Sequence, residues 1–209
     1  MIVETFPVGL LQCNCTIVGD EASREAMVID PGDDPDLILA KLNAHRLTLK
    51  EIVCTHTHID HVGAIFELQR QAGVPASIHK ADLFLFENLE TQAEWLGMPA
   101  PKRGTIDRFL NDGSSVGCAG LELGVIHTPG HTPGSSCFLL ADGRNILFAG
   151  DTLFQNSIGR TDLWGGSMAA IVSSIHGKLL TLDDDTLVVA GHGPSTTVGH
   201  ERRNNPFLR

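Results

Sequence analysis

The sequence predicts an α+β fold in which two β-sheets pack face to face with helices on their outer surfaces. Three observations predict it. Strand-like runs precede helix-like stretches twice along the chain, an order that suits two sheet layers with helices outside. Several helix-like stretches carry one apolar stripe, as an element lying on a sheet requires. The 209 residues, 42% of them apolar, suffice for a substantial core and are read as one domain over 1–209.

In the first half, Met1–Pro7, Thr16–Val18 and Ala26–Ile29 read as strands, the last running into the turn Asp30-Pro31-Gly32. A helix follows with Asp34 as expected N-cap, Pro35 at its first position and Leu37, Ile38, Ala40 and Leu42 as the buried stripe. His45 at its end is placed as a partner of the helix C-terminus. Ile52-Val53-Cys54 is the next strand, followed by a loop and a helix through Ile65, Leu68 and Ala72 that ends near Gly73. Ala76–His79 is a short strand, and Ala81–Leu96 has helical spacing with Leu83, Phe84, Leu89 and Trp95 expected in the core. Pro99, Pro101 and Gly104 then mark a loop.

The second half is read as strands at Ile106–Leu110, Ser115–Cys118, Leu121–Ile126, Ser136–Leu140 and Asn145–Ala149, with Asp142-Gly143 as a hairpin signal. A helix from Ser167 presents Met168, Ile171, Ile175 and Leu179 on one face and leaves His176 to solvent. Leu187–Ala190 is a final buried strand.

Composition narrows the function classes. A net charge of −10 with no basic cluster beyond Arg202-Arg203 argues against nucleic-acid binding through phosphates. No apolar run reaches the roughly 20 residues of a membrane helix, so no membrane partner is expected. Five cysteines without Cys-x-x-Cys spacing read as reduced, buried thiols. No basic residue precedes Arg24, so a secretory leader is not indicated and a cytoplasmic protein is expected. The oligomeric state is left open.

The chemistry concentrates in Cys54-Thr55-His56-Thr57-His58-Ile59-Asp60-His61-Val62-Gly63, where three imidazoles and a carboxylate fall within six positions between a strand and a helix. In a turn-like loop His56 and His58 can face one way, Asp60 and His61 another, which suits two adjacent metal ions. Imidazole with carboxylate suits zinc, manganese or iron. Further candidates lie at strand ends: Asp151 after Leu147-Phe148-Ala149, His192 between two glycines, and His127 or His131 around the Pro/Gly-rich turn Pro129–Gly134. His79 and His200 are read as structural or outside the pattern.

With His56-x-His58-x-Asp60-His61 the chain resembles the metallo-β-lactamase superfamily, and within it the single-domain branch of glyoxalase II. Supporting motifs are Gln12-Cys13-Asn14-Cys15, Asp30-Pro31-Gly32, His127–Gly134, Gly150–Phe154, Gly159-Arg160-Thr161-Asp162, Gly191–Pro194 and Asn205–Leu208. The resemblance implies an αββα four-layer sandwich with two divalent ions, zinc first and iron or manganese also compatible, at one edge between the sheets. It implies His56, His58 and His131 on one ion, Asp60, His61 and His192 on the other, Asp151 bridging, and no ligand role for His127. It further implies a hydrolase that cleaves a small-molecule thioester, S-D-lactoylglutathione, to glutathione and D-lactate with a metal-bridging hydroxide that Asp60 orients as catalytic residue.

Two-domain members of that branch hold glutathione with tyrosines and basic residues, some from a C-terminal helical domain. This chain has no tyrosine, and glutathione recognition is expected to be loose. Arg160 is the basic candidate for substrate binding and equally a structural partner for Asp162. A persulfide dioxygenase of the same superfamily, with one iron, shares the ligand set and the Gly-Arg-Thr-Asp segment. Leu163-Trp164 departs from its usual continuation. A non-enzymatic metal-binding scaffold is the third reading.

Overall fold

The computed structural model describes all 209 residues, Met1–Arg209. The chain opens with an antiparallel meander of β1 (Ile2–Val8), β2 (Cys13–Gly19) and β3 (Glu25–Ile29). Three parallel strands then extend the same sheet, β4 (Thr48–Val53), β5 (Ala76–His79) and β6 (Arg108–Leu110), in the order β1-β2-β3-β4-β5-β6. Parallel neighbours need crossover connections, and helices supply them. These are α1 (Pro35–Ala44), α2 (Ile59–Val62) with α3 (Ile65–Ala72), and α4 (Leu83–Glu87) with α5 (Leu89–Leu96).

The second sheet contains β7 (Ser115–Cys118), β8 (Leu121–His127), β9 (Ser136–Leu140) and β10 (Ile146–Gly150) as an antiparallel run. A small hairpin, β11 (Leu153–Phe154) and β12 (Ser157–Ile158), and helix α6 (Met168–Ser174) with a π-turn over Ile175–Leu179 come next. Then β13 (Leu187–Ala190) adds parallel to β10 and β14 (Thr196–Thr197) closes the edge. Helix α7 (Val198–Asn204) follows.

Alternation along the strands sorts the core into layers. In β3, Met27 and Ile29 join Val18, Val53, Phe138, Phe148 and Val189 between the sheets, while Ala26 and Val28 face α1 and α3 with Ile38, Ile65 and Leu68. In β10, Ile146 and Phe148 point inward, while Leu147 and Ala149 face Ile171, Ile175 and Leu179 of the outer helix. Strands covered on both faces therefore read as continuous apolar runs. The result is the expected four-layer αββα arrangement of two sheets with helices outside.

Several local expectations are corrected. The strand at 106–110 belongs to the first sheet, because β6 pairs in parallel with β5 and forms that sheet's edge. Asp34 precedes α1 but adopts φ 52° and caps nothing there; its carboxylate accepts from the Gly9 N–H instead. Leu37 and Ala40 face solvent, so Ile38, Leu42 and the partly buried Leu39 form the stripe. The helical stretch 81–96 breaks at Asn88, whose side chain donates to the Phe84 carbonyl at 2.7 Å. Phe84, Trp95 and Met168 are exposed rather than core. The ligand stretch is not all loop, since α2 makes one helical turn within it. No helix is long and apolar enough to cross a membrane.

Candidate metal centre

Four loops meet at one edge of the sandwich because the strands that feed them run the same way. The turn after β4 carries His56, His58, Asp60 and His61. The loop after β8 carries His131, and the ends of β10 and β13 carry Asp151 and His192. Ligand atoms of His56, His58 and His131 lie within 4.8 Å of one another, as do those of His56, His61 and Asp151, and those of Asp60, His61 and His192. All seven residues singled out in the sequence are thus brought together.

Asp151 sits between the groups. Its Oδ1 is 3.5 Å from His61 Nε2 and 3.8 Å from His192 Nε2, while Oδ2 is 3.6 Å from His131 Nε2. Asp60 Oδ2 lies 3.2 Å from His192 Nε2 and 3.8 Å from His61 Nε2. The turn at Gly191 has no room for a side chain, since a Cβ there would fall 2.2 Å from Asp151 Oδ1 and 2.8 Å from His61 Cε1.

The imidazoles are oriented from behind. Thr55 Oγ1 donates to Asp30 Oδ2 at 2.7 Å, which leaves its lone pair to accept the Nδ1–H of His56 at 3.1 Å. Asp30 Oδ2 also lies 3.0 Å from His61 Nδ1, and the Arg160 carbonyl 2.8 Å from His131 Nδ1. With a proton on each Nδ1, the three Nε2 atoms present lone pairs inward, the arrangement in which a metal-binding histidine is held by its outer partner.

Three buried polar atoms have no partner within the protein: His56 Nε2, His61 Nε2 and Asp151 Oδ1. All three point into the same centre. Unpaired buried polar atoms are costly, on the order of 1–3 kcal/mol each, and three in one place mark a bound group rather than a packing fault. Burial, reinforced by the neighbouring imidazoles, pushes His56 well below the usual histidine range; burial first and then His131 lower His58 to about 3. Burial also lowers His131. At Asp60 burial opposes ionisation, yet His61 and His192 hold the carboxyl below its usual range. The hydrogen bond to Asp60 raises His192. At His61 burial lowers the imidazole but Cys13, Asp60, Asp151 and Asp30 raise it well above the usual range, so that a cation would take the place of a proton there. Imidazole nitrogens beside carboxylate oxygens form a donor set that suits divalent cations. A cation there gives all three unpaired atoms a partner.

The other histidines stand apart. His127 stacks on His79 with ring centroids 3.9 Å apart, and its Nε2 lies 2.9 Å from the Pro133 carbonyl. His45 meets Glu4 at 2.6 Å, His200 meets Asn156 at 3.0 Å, and His176 is exposed. Arg160 lines the cleft beside the centre, with its guanidinium engaged by Asp162 through two contacts of 2.8 Å.

Supporting residues escaped the sequence reading. Asn14 Nδ2 donates to the Ala190 and Gly193 carbonyls at 2.9 Å each, clamping the His192 turn onto the first sheet. Buried Asp82 accepts from Thr57 N, Thr132 Oγ1 and Gly134 N, joining the His56–His58 turn to the His131 loop. Burial pushes its carboxyl up to about 6 against these three donors. Gln92 accepts from Ile59 N and donates to the Thr57 and Leu85 carbonyls. Asp30 and Asn14 had a signal, lying in Asp30-Pro31-Gly32 and Gln12-Cys13-Asn14-Cys15; Asp82 and Gln92 had none.

A cleft of ≈ 410 Å³ opens from Asp60, His58 and His131 between Leu11, Trp95 and Trp164.

Comparison with known proteins agrees with this architecture. Residues 8–192 match the model of the metallo-beta-lactamase superfamily. The chain is 40% identical over 210 residues to hydroxyacylglutathione hydrolase GloC of Haemophilus influenzae, covering 100% of this chain and 98% of that one. Among solved structures it resembles the BLEG-1 B3 metallo-beta-lactamase, with TM-score 0.92 and 35% identity over 99% of both chains. It also resembles TTHA1623 in a di-iron-bound form, with TM-score 0.90 and 38% identity over 99% of this chain and 100% of that one. Sequence, fold and the clustered His/Asp residues together establish that the chain belongs to the metallo-beta-lactamase superfamily.

Proposed function

We propose that the protein is a metal-dependent thioester hydrolase of the hydroxyacylglutathione hydrolase type, cleaving S-D-lactoylglutathione to glutathione and D-lactate. The observation that carries the reading is the convergence of the unpartnered His56 Nε2, His61 Nε2 and Asp151 Oδ1 on one centre. Full-length similarity to the Haemophilus enzyme supports the substrate class. In this reading His56, His58 and His131 would hold one divalent ion and Asp60, His61 and His192 a second, Asp151 would serve both, and zinc would be the working metal. Such ions, when bound, lower the pKa of a water from about 15.7 toward about 7 and withdraw charge from a carbonyl oxygen.

The chain's own residues do the rest. Asp60, ionised and lining the cleft, accepts a hydrogen bond from the attacking water and aims its oxygen at the thioester carbon. Asp30, Thr55 and the Arg160 carbonyl keep His61, His56 and His131 in the tautomer that leaves Nε2 free. The attacking water gives up a proton to solvent as the new C–O bond forms, and the C–S bond breaks to leave the acid and the thiolate. The thiolate departs through the open cleft and takes up a proton from solvent.

The test is one zinc-loaded preparation assayed without oxygen on S-D-lactoylglutathione, with a chromogenic β-lactam and glutathione persulfide as alternative substrates. Thioester cleavage that persists anaerobically is the expected result. Oxygen uptake with persulfide by the iron-loaded protein, or β-lactam opening, with no thioester cleavage would overturn the assignment.

A further inference from the structure

Beside the candidate metal centre the cleft changes character. Its outer wall is built by the exposed side chains of Trp95 and Trp164, packed edge to face with ring centroids 4.1 Å apart and an interplanar angle of 67°. Leu11 and Leu96, also exposed, continue the wall. Trp95 is 56% exposed and Leu96 50%, both in the last turn of α5. Large apolar side chains left in water next to a cleft mark a binding surface. A volume of ≈ 410 Å³ lies within the range of small-molecule sites.

The polar inventory of that wall is short. Arg160 is its only basic side chain, and both of its contacts to Asp162 are 2.8 Å long. No lysine or second arginine lines the cleft. A glutathionyl group carries two carboxylates and an ammonium, and burying its carboxylates against tryptophan and leucine would strip their water with one arginine, already paired to Asp162, as the only fixed cation in reach. An apolar group attached to the reacting carbonyl meets no such penalty.

Resting on the thioester reading above, we propose that Trp95 and Trp164 form an acyl-binding wall, so that the enzyme selects thioesters whose acyl group is aromatic or bulky and apolar. The glutathionyl part then projects toward solvent. The metal centre fixes where the carbonyl lies, and the tryptophan pair fixes what may be attached to it. Lactoyl, with a methyl group in place of a ring, reaches the wall poorly.

Two substrates isolate this claim, S-D-mandeloylglutathione and S-D-lactoylglutathione, which share the thiol and the α-hydroxyl and differ only in phenyl against methyl. For the zinc-loaded protein kcat/KM should favour the mandeloyl thioester by at least about tenfold, the discrimination an apolar pocket achieves. In Trp95→Ala and Trp164→Leu that ratio should fall toward one, mainly through KM. Binding has an independent readout because these are the chain's only two tryptophans. Free D-mandelate should change their fluorescence at concentrations where D-lactate does not. A ratio near one in the unaltered protein, or a ratio unchanged in both variants, overturns the acyl wall while leaving thioester hydrolysis standing. A fluorescence response to D-mandelate without cleavage of either thioester supports the wall and instead overturns the hydrolase reading.

Discussion

Each candidate ligand depends on an atom behind it. His61 presents Nε2 inward because Asp30 holds Nδ1, and Asp30 can do so because it also receives the backbone N–H and hydroxyl of Thr55. Replacing Asp30 with Ala should therefore weaken metal binding by about 10–100-fold without removing any ligand, as loss of an outer partner does, measured by competition with a chromogenic chelator. Asp60 is asked to act on the reacting water. Asp60→Asn should lower kcat far more than it raises KM, because the lost interaction belongs mainly to the transition state. Unchanged turnover would remove that role. Six of the candidate residues were legible from the His/Asp-rich turn after a strand and from strand ends, Asp151 after Gly150 and His192 between two glycines, while His131 was separated from His127 only by the family resemblance. Their tautomers were not, since those are set by Asp30, Thr55 and the Arg160 carbonyl, which reach the imidazoles from elsewhere in the chain or through the backbone.

At the level of elements, the site is a set of loops tied together from outside. Asp82, in the 3-10 turn Lys80–Asp82 after β5, receives three donors from two ligand loops. Asp82→Ala would leave the Gly134 and Thr57 N–H groups buried without acceptors, at a cost of about 1–3 kcal/mol each. Chemical denaturation should register that loss, and metal affinity should fall with it. His127→Ala, which removes only the stack on His79 and the contact to Pro133, should leave metal content unchanged. Most elements were readable from apolar periodicity and from Pro/Gly punctuation. The exceptions have physical causes. Two-residue strands such as β11, β12 and β14 have no period to detect, α2 is a single turn, and the exposed faces of α4 and α5 keep apolar residues at helical spacing because they border a cleft.

The whole molecule explains why the centre lies between the sheets. The first half supplies His56, His58, Asp60 and His61, the second His131, Asp151 and His192, so neither half holds the site alone. Two sheets with helices outside could be read from the order of strand-like and helix-like runs. The assignment of β6 to the first sheet could not, because nothing local to 106–110 distinguishes a parallel edge strand from the start of the next sheet. Bound ions that ligate both halves stabilise the folded state by mass action. The most direct test of the account is the metal content of the purified, fully loaded chain by elemental analysis, beside that of Asp151→Ala. The account predicts two equivalents of divalent metal per chain, with both ions weakened in the variant because one carboxylate faces both groups. One equivalent or less in the unaltered chain, or an Asp151→Ala variant that keeps two, would contradict it.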